Sequence, residues 1–233
     1  GIERIGNGRR KYALNETYFD CIDTPNKAYI LGFFYADGCN FQPKQTISMS
    51  LQEDDKEILE KIRLEIGSVR PLEFIDYSNK HDYGYTYKNQ YRLLMFSAHM
   101  CKKLSEIGMT PNKSLTLKFP IIPESLYPHF IRGYFDGDGS ISFNGTNAVF
   151  TITSTHQFCE SVKIFLEKTL SIHMYITDAS NKNGITKVLS TSGNIQVKKL
   201  LDELYKDADL YMERKYQKYR NKYYPSNNKQ TAA

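Results

Sequence analysis

The sequence predicts an α+β fold made by duplicating one α-β-β-α-β-β-α unit. Three observations predict it. Two similar stretches, ILGFFYADG (30–38) and IRGYFDGDG (131–139), place Asp37 and Asp138 in matching positions 101 residues apart. Each stretch is followed by strand-like and helix-like segments in the same order. The trailing helices also match, with Lys102-Lys103-Leu104 and Lys198-Lys199-Leu200 only 96 residues apart, so the register drifts little over a whole unit. A repeat of this length sets the architecture before any finer reading.

The elements follow in order. A basic arm (1–22, opening GIERIGNGRRKY) precedes the first half, 23–108. Thr24 as N-cap and Pro25 at the first helical position open the first motif helix. TISMSLQ (46–52) alternates as a half-buried strand does, and EDDKEILEKIRLEIG reads as a solvated amphipathic helix. The polar turn YSNKHDYG (77–84) leads to the strand YRLLMFS (91–97) and the helix AHMCKKLSEIG. A proline-rich linker, 109–121, joins the halves. In the second half, 122–206, either Pro123 or Pro128 starts the motif helix. AVFTITS (148–154), THQFCESVKIFLEKTL, the turn SNKNG (180–184), TKVLSTS (186–192) and GNIQVKKLLDELY complete the unit, and a basic tail, 207–233, ends the chain.

Composition narrows the class. A hydrophobic fraction of 40% with 13% aromatics excludes a disordered chain, and no apolar run approaches the ~20 residues of a membrane span. The N-terminus has no apolar signal core, so an intracellular location with DNA is expected: a bacterial or phage-infected cytoplasm, or an organelle. Cys21, Cys39, Cys101 and Cys159 form no metal or disulfide pattern, and neither do the five histidines. The net charge of +5 is segregated, with acid in 52–65 and base in the arm, the linker and the tail. That favours a polyanion partner over a uniformly solvated surface. DGDGSISFNGTN fails as a calcium loop because Ile141 stands where glycine is required.

The motif ends carry the chemistry. Gly32 and Ala36, like Gly133 and Gly137, are four apart, so each pair lies on one helix face. Two such faces allow close backbone approach and bring Asp37 and Asp138 together at the helix ends. Gly38 and Gly139 are expected to be left-handed terminators. Two carboxylates at the negative ends of two helices repel each other and call for a counter-charge. Mg²⁺ suits them because it prefers carboxylates and keeps waters. Backbone carbonyls of Ala36 and Gly137 are further candidate ligands. Mn²⁺ is an expected substitute, and Ca²⁺ should support binding without cleavage.

With these residues in view, the sequence resembles the single-chain LAGLIDADG homing endonucleases, which carry two such motifs. The resemblance covers nearly the whole chain. It implies a pseudo-twofold saddle of two antiparallel four-stranded sheets around two central packed motif helices. It also implies a monomer that acts on a double-stranded DNA target, with no membrane or small-molecule substrate. The implied activity is metal-dependent hydrolysis of both strands, of the intron-homing type, with Asp37 and Asp138 as metal-binding acids. Lys113 and Lys215, 102 residues apart, take by resemblance the part of pocket lysines. Gln52, and less so Thr153, stand where the family puts a water-organising residue. Position six of the motif is Asp136 in one copy and Tyr35 in the other, which points to a structural role there.

Strand alternation supplies the DNA-contact candidates. In the first half they are Asn40, Gln42, Lys44, Gln45, Ser48, Ser50, Arg70, Lys80, Lys88, Gln90 and Arg92. In the second they are Ser140, Ser142, Asn144, Asn147, Asp178, Asn181, Lys182 and Lys187. Asn40, Gln42, Lys44, Ser48 and Ser50 are read as sharing the outer face, with Phe41, Ile47, Met49 and Leu51 turned to the core. Tyr77, Tyr83, Tyr85 and Tyr87 are candidates for packing on sugars. The competing class is a non-catalytic nucleic-acid-binding protein of the same fold, an intron maturase or a DNA-binding regulator. Retention of both acids and both lysines argues for the enzyme.

Overall fold

In the computed structural model, which describes residues 2–5, 9–78, 81–82, 85–110, 113–179 and 186–225, the two repeats fold as successive units of the same design. A hairpin of β1 (Ile2–Ile5) and β2 (Arg9–Ala13) comes first. The first unit begins with α1 (Pro25–Asp37), β3 (Gly38–Phe41), β4 (Thr46–Gln52), α2 (Lys56–Glu65) and β5 (Glu73–Ile75). A two-residue-per-strand hairpin, β6 (His81–Asp82) with β7 (Tyr85–Thr86), is inserted before β8 (Gln90–Phe96) and α3 (Ala98–Ile107). The second unit runs α4 (Tyr127–Asp138), β9 (Gly139–Asn144), β10 (Asn147–Thr155) and α5 (His156–Leu170). It closes with β11 (Tyr175–Asp178), β12 (Thr186–Ser192) and α6 (Asn194–Tyr205), and α7 (Glu213–Tyr223) follows. The strands make two four-stranded antiparallel sheets, β3-β4-β8-β5 and β9-β10-β12-β11, with the same order in both units.

Local chemistry explains the starts of the central helices. The Thr24 hydroxyl accepts the Lys27 N–H at 3.3 Å, and Pro25 fills a position that needs no N–H. Both candidate prolines serve the second start: Pro123 leads a 3₁₀ turn, Glu124–Leu126, and Pro128 sits in the first turn of α4. Every residue of α1 from Ala28 to Tyr35 is buried, as expected of a helix apolar on all sides.

The sheets bury one face each. Ile47, Met49, Leu93 and Met95 fill the inner face of the first, and Ile141, Phe150, Ile152 and Leu189 that of the second. Each such side chain contributes roughly 1.5–3 kcal/mol by leaving water. The amphipathic helices add Ile58, Leu59 and Ile62 from α2 and Leu200, Leu201 and Leu204 from α6. Cys101 and Cys159 are buried as plain apolar groups, while Cys21 and Cys39 are exposed free thiols.

Position six of the second motif anchors the core. Asp136 is fully buried and accepts bonds from the Tyr29 hydroxyl at 2.9 Å and the Met212 N–H at 2.8 Å. Arg132, also fully buried, donates to the carbonyls of Leu204 and Leu210 and lies over the Tyr29 ring. Together these side chains tie α1 and α4 to the end of α6 and the segment leading into α7.

The C-terminal helix α7 covers the open edge of the second sheet. Three of its lysines reach backbone carbonyls along β9 and its turn: Lys215 to Gly139 at 2.7 Å, Lys218 to Ile141 at 2.8 Å, and Lys222 to Gly145 at 2.8 Å. Its aromatic side holds it on α6, with Tyr219 stacked on Tyr205 at 5.1 Å between centroids.

Two expectations about the first strand are corrected. Asn40 points inward, 3% exposed, and its Nδ2 donates to the carbonyls of Cys101 and Met109 and to the Ser105 hydroxyl. Phe41 is turned outward at 43% exposure. The parity is set where β3 leaves α1, and the 3₁₀ turn at Gln42–Lys44 resets it before β4. Gly38 and Gly139 are not left-handed either; φ is −76° and −91°. They are needed for space instead: a Cβ at Gly38 would lie 2.6 Å from the Phe34 carbonyl oxygen, and one at Gly139 2.5 Å from that of Phe135.

Candidate active site

The two motif helices touch through their glycines, and the contacts are reciprocal. A Cβ on Gly32 would sit 2.0 Å from the Phe130 carbonyl oxygen; one on Gly133 would sit 1.9 Å from that of Tyr29. No side chain fits between the backbones at either point. Further along, a Cβ on Gly137 would meet Ala36 Cβ at 2.3 Å and Asp37 Oδ2 at 2.9 Å. The predicted interface residues Gly32, Ala36, Gly133 and Gly137 therefore all lie at the crossing. The chain leaves each helix directly into an edge strand, β3 or β9, so Asp37 and Asp138 come out together.

The electrostatics record their proximity. Burial first, and then the Asp138 charge, raise the Asp37 carboxyl from an ordinary 3.8 to about 6. Asp138 is itself pushed up, by burial, although its residue is more exposed. Both acids are eased by the same cations, Lys113 and Lys215. Burial pulls the Lys215 ammonium down to about 8 and lowers Lys113 as well.

The lysines have a second occupation. Lys215 donates to three carbonyls, Phe135 at 2.5 Å, Asp136 at 2.8 Å and Gly139 at 2.7 Å. Lys113 donates to two, Ala36 at 3.0 Å and Gly38 at 2.8 Å. Each lysine thus satisfies orphan carbonyls at the end of one motif helix and places a cation against that end of the dipole. An ammonium has three protons. Lys215 has spent all of them on the backbone, whereas Lys113 keeps one.

This bears on the expected metal ligands. The donor set fits Mg²⁺: two converging carboxylates, whose mutual repulsion a divalent ion relieves, and room for waters around them. Among the described residues no group of three or more His, Cys, Asp or Glu side chains gathers for a metal, so these two acids are a pair without a third. The Ala36 carbonyl accepts one hydrogen bond, from the Lys113 ammonium, and keeps its second lone pair. The Gly137 carbonyl takes none of the three Lys215 bonds and stays compatible.

Beside Asp37 opens a cleft of about 510 Å³ that also holds Gln52, Ser50, Lys88, Gln90 and Arg214. Gln52 ends β4 and is exposed there. Thr153 lies mid-strand in β10, half-buried, and its carbonyl accepts the Tyr134 hydroxyl at 2.9 Å. Arg214, Asp54 and Asp55 were not anticipated. The only signal for Arg214 is its place next to Lys215 in MERKYQ.

The DNA-contact candidates divide. Ser48, Ser50, Gln90 and Arg92 share the outward face of the first sheet through the pairings Ser50–Arg92 and Gln52–Gln90. Gln42, Lys44 and Gln45 are exposed at the turn between β3 and β4, and Ser140, Ser142, Asn144 and Asn147 are exposed on β9 and β10. Lys88 pairs with Asp54 at 3.0 Å, and Arg70 with Glu73 at 2.7 Å while lying against the Tyr12 and Phe96 rings. Asp178 and Lys187 are paired with each other, and Lys187 has the parity of the buried Leu189 and Thr191. They are corrected as base contacts, as is the buried Asn40. Lys80, Asn181 and Lys182 lie outside the described residues, as do Tyr83 and the side chain of Tyr85. Tyr77 and Tyr87 pack on each other at 6.0 Å. Cys39, Phe41 and Thr46, by pairing with Ser48 or each other, join the outward face instead.

Two glycine-packed motif helices, each leading into one of two equivalent sheets, define the duplicated LAGLIDADG architecture. Residues 126–205 match the LAGLIDADG-like domain family, and over more than four-fifths of its length the chain has the fold of single-chain LAGLIDADG homing endonucleases. Among solved structures, I-WcaI bound to its DNA recognition sequence is 14% identical with a TM-score of 0.56, over 81% of this chain and 85% of that one. I-SmaMI bound to uncleaveable DNA is 14% identical with a TM-score of 0.52, over 85% and 88%. Full-length DUF199/WhiA from Thermatoga maritima is 14% identical with a TM-score of 0.53, over 89% of this chain and 64% of its own. At such identity these likenesses show the fold. No curated protein sequence matches the chain.

Proposed function

We propose that this protein is a site-specific endonuclease of the homing type, hydrolysing both strands of a double-stranded DNA target with Mg²⁺. One observation carries the reading: two carboxylates, Asp37 and Asp138, are held together at the ends of two packed helices, where burial and then their mutual repulsion raise the pKa of Asp37. Holding such a pair costs stability, and a binding surface has no use for it. The two acids would hold the metal, with the Gly137 carbonyl as a further oxygen. Bound there, Mg²⁺ would supply an activated water and stabilise charge on the attacking and leaving oxygens. Gln52, at the mouth of the same cleft, would orient the water. Lys113, with a proton to spare, is suited to the developing charge; Lys215 would act through the carbonyls it organises. The outward polar faces of the two sheets would read bases in the major groove, one half-target each. Two half-sites in one chain require no second copy, which supports a monomer. The relatives solved with DNA, I-WcaI and I-SmaMI, support the substrate class.

A second reading, a nucleic-acid-binding protein of the same fold without cleavage, is favoured by the full commitment of Lys215 to backbone carbonyls. The two are separated by incubating the protein and Mg²⁺ with a randomised duplex library and sequencing both bound DNA and new ends. Paired breaks at one enriched sequence are expected; enrichment by binding with no new ends would establish the second reading. Asp138→Asn should keep Ca²⁺-supported binding to the selected duplex and lose cutting, and cutting at the wild-type rate would overturn the metal assignment.

A further inference from the structure

Arg214 stands in the cleft beside Asp37 and Gln52. It comes from α7, in the tail that follows the second half, yet its partner is Asp55 at the head of α2 in the first half. Arg214 Nε donates to both Asp55 oxygens, at 3.0 and 3.1 Å. Neither hydrogen bond uses a terminal nitrogen, so the fork of the guanidinium is not consumed by this pair. The Asp55 side chain is only 11% exposed and that of Arg214 is 56% exposed. The carboxylate is thus fixed and the cation open to whatever enters. Arg214 also stabilises the Asp37 carboxylate by its charge, which puts the guanidinium within electrostatic reach of the acid.

The repeat makes this group one-sided. Lys215 corresponds to Lys113 at an offset of 102, so the place of Arg214 falls on Asn112 in the first half. A neutral amide cannot supply the charge or the fork of an arginine.

We propose that Arg214 binds the phosphate cut at the Asp37 side of the cleft, with Asp55 as the positioning residue that aims it through Nε. Its planar pair of terminal nitrogens matches two phosphate oxygens, and its charge stabilises the extra negative charge of the transition state. With the neutral Asn112 at the matching place in the sequence, it serves one strand. The two strands are then cut by unequal machinery.

This inference rests on the nuclease reading above, and the test keeps the two apart. The duplex selected from the library is labelled separately on each strand, and single-turnover cutting of each is timed with Mg²⁺. Wild type should cut both strands. Arg214→Ala should slow one of them roughly 10²-fold, the loss typical of a transition-state donor, and leave the other within about threefold. Arg214→Lys should recover part of the loss, since it keeps the charge but not the fork. Asp55→Asn should slow the same strand by a smaller factor. Urea unfolding of each variant checks that folding is kept, and Arg214→Gln replaces Arg214→Ala should the latter unfold. Equal slowing of both strands would mean that Arg214 merely ties the halves together, and no slowing would mean that it is a surface ion pair; either overturns the proposal while the nuclease reading stands. A wild type that cuts neither strand overturns both.

Discussion

Replacing Asp37 by Asn should make the metal-free protein more stable while removing its capacity for metal. Burial and the Asp138 charge favour the neutral acid in the folded state, where the carboxyl titrates near 6 instead of 3.8. The folded chain therefore holds a proton that the unfolded chain has released between these two values. Stability from this group is greatest below about pH 4, declines as pH rises toward 6, and stays low above it. Each pKa unit corresponds to about 1.4 kcal/mol, so the ceiling on the penalty at neutral pH is about 3 kcal/mol. Partial exposure of Asp37 brings the expected gain for Asp37→Asn to roughly 1–3 kcal/mol at pH 7.5. The assay is urea unfolding in EDTA at pH 4.5 and pH 7.5. The variant should exceed wild type at the higher pH and approach it at the lower. Adding Mg²⁺ should stabilise wild type and leave the variant unmoved. A difference that is flat with pH, or a less stable variant at pH 7.5, would refute the account of the acid pair.

Three other substitutions test the frame around it. Gly133→Ala places a methyl 1.9 Å from a backbone oxygen that no rotamer can move, and should cost about 3 kcal/mol or more in urea unfolding. Asn40→Ala strips a buried amide donor from the three acceptors around it and should cost about 1–3 kcal/mol, with the DNA sequence preference in a library selection unchanged. Lys215→Met removes three bonds from helix-end carbonyls where Lys113→Met removes two; both should lower the melting temperature, the first by more.

The duplicated unit and its acid pair were legible because they depend on spacing that the sequence states outright. Two small residues four apart, an acid at the end and a matching copy 101 residues on leave little freedom in how the helices can meet. The order of strands and helices was legible for a similar reason, as periodicity and turn chemistry act locally. Asn40 and Phe41 were misread because parity in β3 is fixed by the angle at which the chain leaves α1, not by the alternation of polar and apolar residues. Asn40 also shows that a polar residue can be a core residue when carbonyls at a helix end need a donor. Lys113 and Lys215 could be paired by offset, but their capping of the motif helices depends on a fold that returns distant segments to the same place. Arg214 was hidden for the same reason: nothing in MERKYQ shows that its neighbour across the cleft is Asp55.

The lysine ladder of α7 has a consequence for how this surface can change over time. Its three ammonium groups grip main-chain oxygens of β9 and its turn, never the side chains that β9 presents outward. Ser140, Ser142 and Asn144 can therefore be exchanged without loosening the clasp that seals the sheet's border. An edge left bare would invite pairing with other chains. Here the border is closed in a manner blind to the residues it presents outward, although Phe143 on the other face packs on Tyr223, so mutation can explore new contact chemistry on the outward side while the architecture beneath holds still.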